Sequence, residues 1–368
     1  MASELRVNQI TSITGVGTVS FDAGGVTFSG SPNLGNAAIT SINSGPIAGS
    51  RNRIINGDCR IDQRNGGASV TGNNDTFAID RFKIEASQTS KLTAQQNAGS
   101  VTPPIGFTSY FGVTSSSAYS LSASDYFTVG QAIEGYNVSD FAFGSTSPAT
   151  VTLSFWVRSS LTGTFGGSLR NNDASRSRPF TYTILSVNTW EYKTITIAGD
   201  TAGTWLTTNG VGLRVLFSLG TGSTYSGTAG SWAGANYVSA TGATSVVSTN
   251  GATWYITGIQ LESGTVSTPF ERRSYGQELA LCQRYYYSAT SQGYWFFPPT
   301  TNDVNGKCNV MFKQTMRATP TTYAATRSTS GSATISFDNI TVDGASIALQ
   351  SWGNAAAQLQ SLTASAEL

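Results

Sequence analysis

Histidine is absent from this 368-residue chain. That removes the usual general base, the commonest zinc ligand and every Ser-His or Cys-His nucleophilic arrangement. Charge is scarce too. Asp, Glu, Lys and Arg make up 11% and the formal net charge is +1, so charge indicates neither a nucleic-acid nor an anionic-membrane surface. Three cysteines, Cys59, Cys282 and Cys308, lie far apart and form no CxxC pair. A disulfide framework would be denser and normally even-numbered. Buried free thiols in a protein assembled in a reducing cytoplasm are therefore expected, although Cys59 and Cys282 could approach each other. No stretch reaches the length of a membrane span. The opening MASELRVNQI places a Glu and an Arg where a signal peptide needs an apolar core.

What the chain has instead is glycine, 40 residues of it, with abundant Ser and Thr. That profile fits short strands joined by polar turns, with little helix. The length accommodates two or three domains. The stretch from Trp254 to Tyr287 organises the rest. Its first part, Trp254 to Leu261 (WYITGIQL), is aromatic and β-branched and alternates like a half-buried strand. After a turn at Thr268-Pro269, Glu271 to Tyr287 carries Glu, Gln, Leu, Ala and Arg and reads as a short helix or coiled exit.

In residues 1–50, Val7, Ile10, Ile13, Val16 and Val19 recur every third position, a spacing that fits neither an isolated helix nor a flat strand. Val19-Ser20-Phe21 and Val26-Thr27-Phe28 flank Asp22-Ala23-Gly24-Gly25 and read as a small hairpin. Such a segment buries too little to fold alone, so it either folds against copies of itself or a neighbouring protein, or stays a loose leader. Residues 41–50 (SINSGPIAGS) form a joint.

From residue 51, strand follows strand. Arg60 to Asp62 and Phe77 to Ile84 open the series, and Val151 to Arg158 shows the cleanest alternation, with Val151, Leu153, Phe155 and Val157 on one face. Trp190 to Ile197 and Val211 to Leu219 follow. Regularly spaced strands of this kind argue for a two-sheet β-sandwich. A Gly/Ser/Thr-rich loop at 220–251 carries Tyr225, Trp232 and Tyr237, whose rings could stack on pyranose faces while hydroxyls supply hydrogen bonds. Alternatively these rings cover the sandwich edge or pack on a sister subunit. Residues 288–368 read as a small C-terminal β-domain, in which the aromatic run Tyr294-Trp295-Phe296-Phe297 is either a second sugar platform or the core of a trimer interface.

Several of these segments resemble a known family. The run GIQLESG..STPFE.RSYGQELALCQRYYY resembles the closing segment of a jelly-roll module common in bacteriophage tail-fibre and other virion proteins. Arg53-Ile54-Ile55-Asn56-Gly57-Asp58, Asp62-Gln63-Arg64 and Phe77 to Phe82 resemble the same module's opening. SFWVRSS and TWEYKTITIAGD are similar to the carbohydrate-binding jelly-roll pattern, and FKQTMRATPT to small C-terminal β-domains of the same phage proteins. The resemblance implies an all-β protein in three parts: an attachment and oligomerisation segment (1–50), a jelly-roll sandwich (51–287) and the small β-domain (288–368). It also implies a homotrimer joined to other virion proteins through its first segment, located in the virion tail and released by lysis. Its function would be to bind host-surface polysaccharide without cutting it, with Tyr225, Trp232, Tyr237, Tyr294 and Trp295 as the glycan-contacting residues. Neither nucleic acid nor membrane insertion is expected.

Two rivals stay open: a head-decoration, collar or adaptor protein, and a polysaccharide depolymerase. The latter needs two carboxylates facing across a cleft. Asp58 with Asp62, Asp75 with Asp80 and Glu262 with Glu271 are the candidates, but Asp58 and Asp62 fall on an expected strand and point to one sheet surface. No long β-helix repeat is present to carry a cleft. No catalytic residue and no cofactor is expected, though oxygens near Asp58, Asp62 and Asp80 could hold a calcium.

Overall fold

The computed structural model describes the backbone of residues 50–290, 295–296, 304–329, 333–351 and 357–368, with three strands among the first 49 residues. Two compact units are present, Met1–Ile42 and Asn43–Leu368. In the first, β1 (Gln9–Thr11), β2 (Thr18–Asp22) and β3 (Gly25–Ser29) form an antiparallel sheet in that order. The expected hairpin is β2–β3, in register from Thr18 opposite Ser29 to Asp22 opposite Gly25.

The second unit contains β4 (Val70–Thr71), β5 (Thr76–Ile79), β6 (Phe82–Ala86), β7 (Leu92–Gln96), β8 (Phe111–Ser115), β9 (Tyr126–Glu134) and β10 (Val151–Ser159). It continues with β11 (Gly163–Arg170), β12 (Ser177–Ile184), β13 (Glu191–Ile197), β14 (Val211–Thr221), β15 (Ser226–Gly227), β16 (Ser239–Ala240) and β17 (Thr253–Ser263). Two six-stranded antiparallel sheets result, β13-β10-β17-β8-β7-β4 and β12-β11-β14-β9-β6-β5. The chain crosses repeatedly between them: β7 and β8 lie in the first sheet, β9 in the second, β10 in the first, β11 and β12 in the second. This is a jelly-roll sandwich.

Alternation explains the core. Val151, Leu153, Phe155 and Val157 of β10 are fully buried between the sheets, as the sequence pattern requires. Phe155 and Phe217 meet edge to face at 5.0 Å, and the buried Trp254 donates its indole N–H to the Tyr182 hydroxyl at 3.0 Å. A large ring can sit at the centre because its one polar atom has a partner there.

Two expected strands are corrected. Residues 60–62 are not a strand; the backbone turns through 55–58, with Asn56 and Cys59 at positive φ of 60° and 57°. The Asn56 side chain holds this shape, accepting from Ile61 N–H at 2.9 Å and donating to Ile61 C=O at 2.8 Å. Asp58 and Asp62 therefore share no sheet face. Residues 77–84 are two strands, with the chain reversing at Asp80-Arg81, where Arg81 has φ 72°.

Beyond the sandwich, α1 (Tyr275–Gln283) begins at a capping box in which Ser274 and Gln277 satisfy each other's backbone N–H groups. The strands β18 (Tyr286–Thr290), β19 (Trp295–Phe296), β20 (Val304–Met311), β21 (Thr322–Thr329), β22 (Ala333–Ile340), β23 (Gly344–Ser351) and β24 (Ala357–Ser365) follow. β24 pairs with β18, β19 and β21, while β20-β23-β22 make a second sheet. A separate core containing Tyr287, Val310, Phe312, Met316, Ile347, Leu359 and Leu362 lies among these strands. The chain's end returns to the sandwich. Glu367 forms ion pairs with Arg81 and, at 2.7 Å, with Arg64, while Arg81 lies over the Tyr285 ring.

Candidate functional site

The outward positions of β10 and β13 are where the sandwich departs from an ordinary polar surface. Trp156 stands directly opposite Tyr192 in register, with ring centroids 5.4 Å apart. Trp156 is half-buried and Tyr192 is 43% exposed. On the other side of β10, the pairing with β17 slips between Ser154 and Trp156, and Gly258 sits near the slip with φ 63°. A Cβ at Gly258 would lie 2.7 Å from Phe107 Cζ and 3.2 Å from Trp156 Cδ1. Glycine satisfies both the left-handed backbone and the open floor.

Two loops wall this floor. Along residues 97–110, the Tyr110 hydroxyl donates to Ala98 C=O and accepts from Val101 N–H at 2.8 Å. Trp190 clamps the same loop, donating from Nε1 to Thr102 C=O at 2.9 Å. The wall so fixed presents Phe107. Residues 264–272 form the second wall, anchored from beneath by the buried carboxylate of Glu262. Thr268 donates to it from its N–H at 2.8 Å and its hydroxyl at 2.6 Å, and Gln260 Nε2 donates at 2.8 Å. This wall presents Phe270, whose ring meets Phe107 edge-on at 5.3 Å. The Arg272 guanidinium lies over both rings, 4.7 Å and 5.6 Å from their centroids.

Between the walls lies a groove of about 680 Å³ lined by Phe107, Ser154, Trp156, Tyr192, Gly258, Ser267, Thr268, Pro269, Phe270 and Arg272. Half-exposed rings beside hydroxyls and a guanidinium form a surface that can stack on the apolar face of a pyranose and bond its hydroxyls.

No protein-family profile and no curated sequence matches the chain. Among solved structures it is similar to the enzymatically active domain of tailspike protein 4 of bacteriophage CBA120, at 13% identity and TM-score 0.32, over 58% of this chain and 21% of that one. It is also similar to the family 11 carbohydrate-binding module from Clostridium thermocellum, at 10% identity and TM-score 0.27, over 54% of this chain and 98% of that one. A third is the N-terminal cellulose-binding domain of Cellulomonas fimi β-1,4-glucanase C, at 14% identity and TM-score 0.23, over 49% of this chain and 91% of that one. The functional reading rests on the groove itself.

The aromatic residues singled out in the sequence lie elsewhere. Tyr225 closes a short 3₁₀ turn and packs edge-on against Tyr126 at 5.2 Å. Trp232 donates from Nε1 to Ala198 C=O at 2.8 Å and packs on Trp205 and Phe143. Tyr237 covers Gly227, where a Cβ would come within 2.3 Å of its ring. All three are half-buried, and none lines the groove at Trp156. The 220–251 loop is pinned by the β15–β16 pair and by a bridge between Ser177 and Ala233. Tyr294 lies outside the described residues; Trp295 is described only as backbone, paired with Gln358.

The carboxylate candidates are each engaged. Asp58 pairs with Arg60; burial raises its pKa, opposed by that arginine. Asp62 accepts from the N–H groups of Asn65 at 2.9 Å and Gly67 at 2.7 Å, and Asp75 pairs with Lys83 at 3.0 Å. Asp80 is fully buried against Gln63; burial pushes its carboxyl up to about 7, against the pull of Gln63 and Arg64. Glu271 accepts from Asn52 N–H at 2.7 Å. Among the described residues no group of three or more His, Cys, Asp or Glu side chains could hold a metal ion. Cys59 and Cys282 are free thiols in separate cores, and burial raises both far above the ordinary thiol range.

Proposed function

We propose that this is a virion protein of the phage tail-fibre type, which binds a host-surface glycan in the groove between the 97–110 and 264–272 loops without cutting it. One observation carries the reading: Trp156, half-buried, and Tyr192, exposed, stand side by side on the groove floor between two walls that are already held by the hydrogen bonds of Tyr110 and Thr268. Rings held in place before the ligand arrives lose little entropy on binding. The resemblance of the 53–64 and 258–287 segments to phage virion proteins supports the biological setting. A homotrimer attached through residues 1–50 would multiply weak single-site contacts by effective concentration.

Affinity electrophoresis through gels containing host envelope polysaccharide tests the proposal. Retardation with the polymer left intact is the expected result. Retardation that fades as the polymer shortens would favour a depolymerase, and no retardation by any envelope fraction would favour a decoration or adaptor role.

A further inference from the structure

We infer that the groove is built for an anionic glycan, and that Arg272 is the residue that reads its charge. This rests on the glycan-binding reading above and narrows it.

Arginines around Arg272 are spoken for. Arg273 donates to Asn52 C=O and pairs with Glu278 at 3.3 Å, Arg284 grips Glu134 at 2.6 Å, and Arg60 pairs with Asp58. Arg272 differs. It is exposed, it lies over Phe107 and Phe270, and among the described residues it makes no ion pair or hydrogen bond. The nearby carboxylates have other partners: Glu271 is held by Asn52 N–H and Arg273, Glu262 is buried beneath Thr268, and Asp58, whose charge Arg272 also helps stabilise, is paired with Arg60. A guanidinium held against rings, with its donors unclaimed among the described residues, is suited to forming paired charge-assisted bonds to a carboxylate or sulfate.

Position adds a second argument. Arg272 also lines a neighbouring hollow of about 620 Å³, of mixed polar and apolar lining, that it shares with Glu271, Arg273, Gln277, Leu281 and Arg284. A chain leaving the aromatic floor toward that hollow passes the guanidinium. The ligand that fits is a polymer with a pyranose stacked on Trp156 and Tyr192 and an acidic group on an adjoining unit.

The test uses the full chain and titration calorimetry against polygalacturonate, its methyl ester, dextran sulfate and dextran, at low and high salt. The wild type should bind at least one charged polymer about tenfold or more tightly than its neutral counterpart, with the preference weakening in salt. Arg272→Gln should lower the affinity for the charged polymer about tenfold more than that for its neutral counterpart, and Arg272→Lys should restore part of the difference. Sensitivity in the galacturonate pair assigns a carboxylate, and sensitivity in the dextran pair a sulfate ester. Equal affinity for charged and neutral polymers, equal loss of both in Arg272→Gln, or no binding of any of the four overturns the inference. Failure of the groove itself reads differently: Tyr192→Ala would then leave every affinity unchanged.

Discussion

Replacing Asn52 by alanine should destabilise the second unit by about 3 kcal/mol. Asn52 is 2% exposed, and its side chain ties the start of the sandwich to its closing strand. Nδ2 donates to Ile259 C=O at 3.0 Å, while Oδ1 accepts from the N–H groups of Ile54 at 2.9 Å and Leu261 at 3.1 Å. Truncation leaves one carbonyl and two N–H groups buried without partners, each at a penalty of roughly 1–3 kcal/mol. Water entry and small shifts hold each of the three near the lower end of that range, for a total of about 3 kcal/mol. The segment should stay docked, because Arg53 N–H still donates to Leu261 C=O at 2.9 Å and Ile259 N–H to Gly57 C=O at 2.9 Å. Urea denaturation followed by near-UV circular dichroism measures the loss, with an unchanged slope showing that the unfolding reaction is the same. Asn236→Ala, which removes an exposed partner of Arg170, is the control and should cost under about 1 kcal/mol. A loss below about 1 kcal/mol for Asn52→Ala would refute the idea that this side chain closes the module.

Asp80 should make stability fall as pH rises. Its unfolded carboxyl ionises near 3.8 and its folded one near 7, so between those values the folded state holds a proton that the unfolded state has released. The contribution is complete below about 3.8 and is lost as pH passes through 7; Asp80→Asn should flatten the melting temperature across that window. Glu367→Ala should destabilise by about 3 kcal/mol in the same urea assay, because it strands Arg81, which is 2% exposed. Gly258→Ala forces a Cβ into the left-handed region and against Phe107; a loss of about 2 kcal/mol and weakened retardation by polysaccharide are expected.

How much of this was legible beforehand differs element by element. The β10 strand and its buried face followed from strict alternation, and the change to Glu, Leu and Ala after residue 271 pointed to a short helix or coiled exit, of which the helix α1 occupies Tyr275–Gln283. The turn at 55–62 was not legible, because its shape comes from Asn56 bonding its own neighbours rather than from any periodic pattern. Asp80 and Arg81 take partners distant in sequence: Gln63 for one, Glu367 for the other. The groove was half visible. An alternating strand that places a tryptophan at an outward position, Trp156, carried a signal, and Tyr192 occupies the matching outward position of β13. Only the register put them side by side, and only the packed loops brought Phe107 and Phe270 to them. The long aromatic loop drew notice by composition, yet its rings settle on Tyr126, Trp205 and Gly227.

The central claim, that the Trp156–Tyr192 floor holds the glycan, comes down to one comparison: wild type against Trp156→Ala in gels carrying host envelope polysaccharide, with melting temperatures measured in parallel. The wild type should be retarded, and the variant should lose about tenfold or more in affinity at a closely similar melting temperature. Equal retardation of the two proteins would contradict the account and move the binding surface away from this groove.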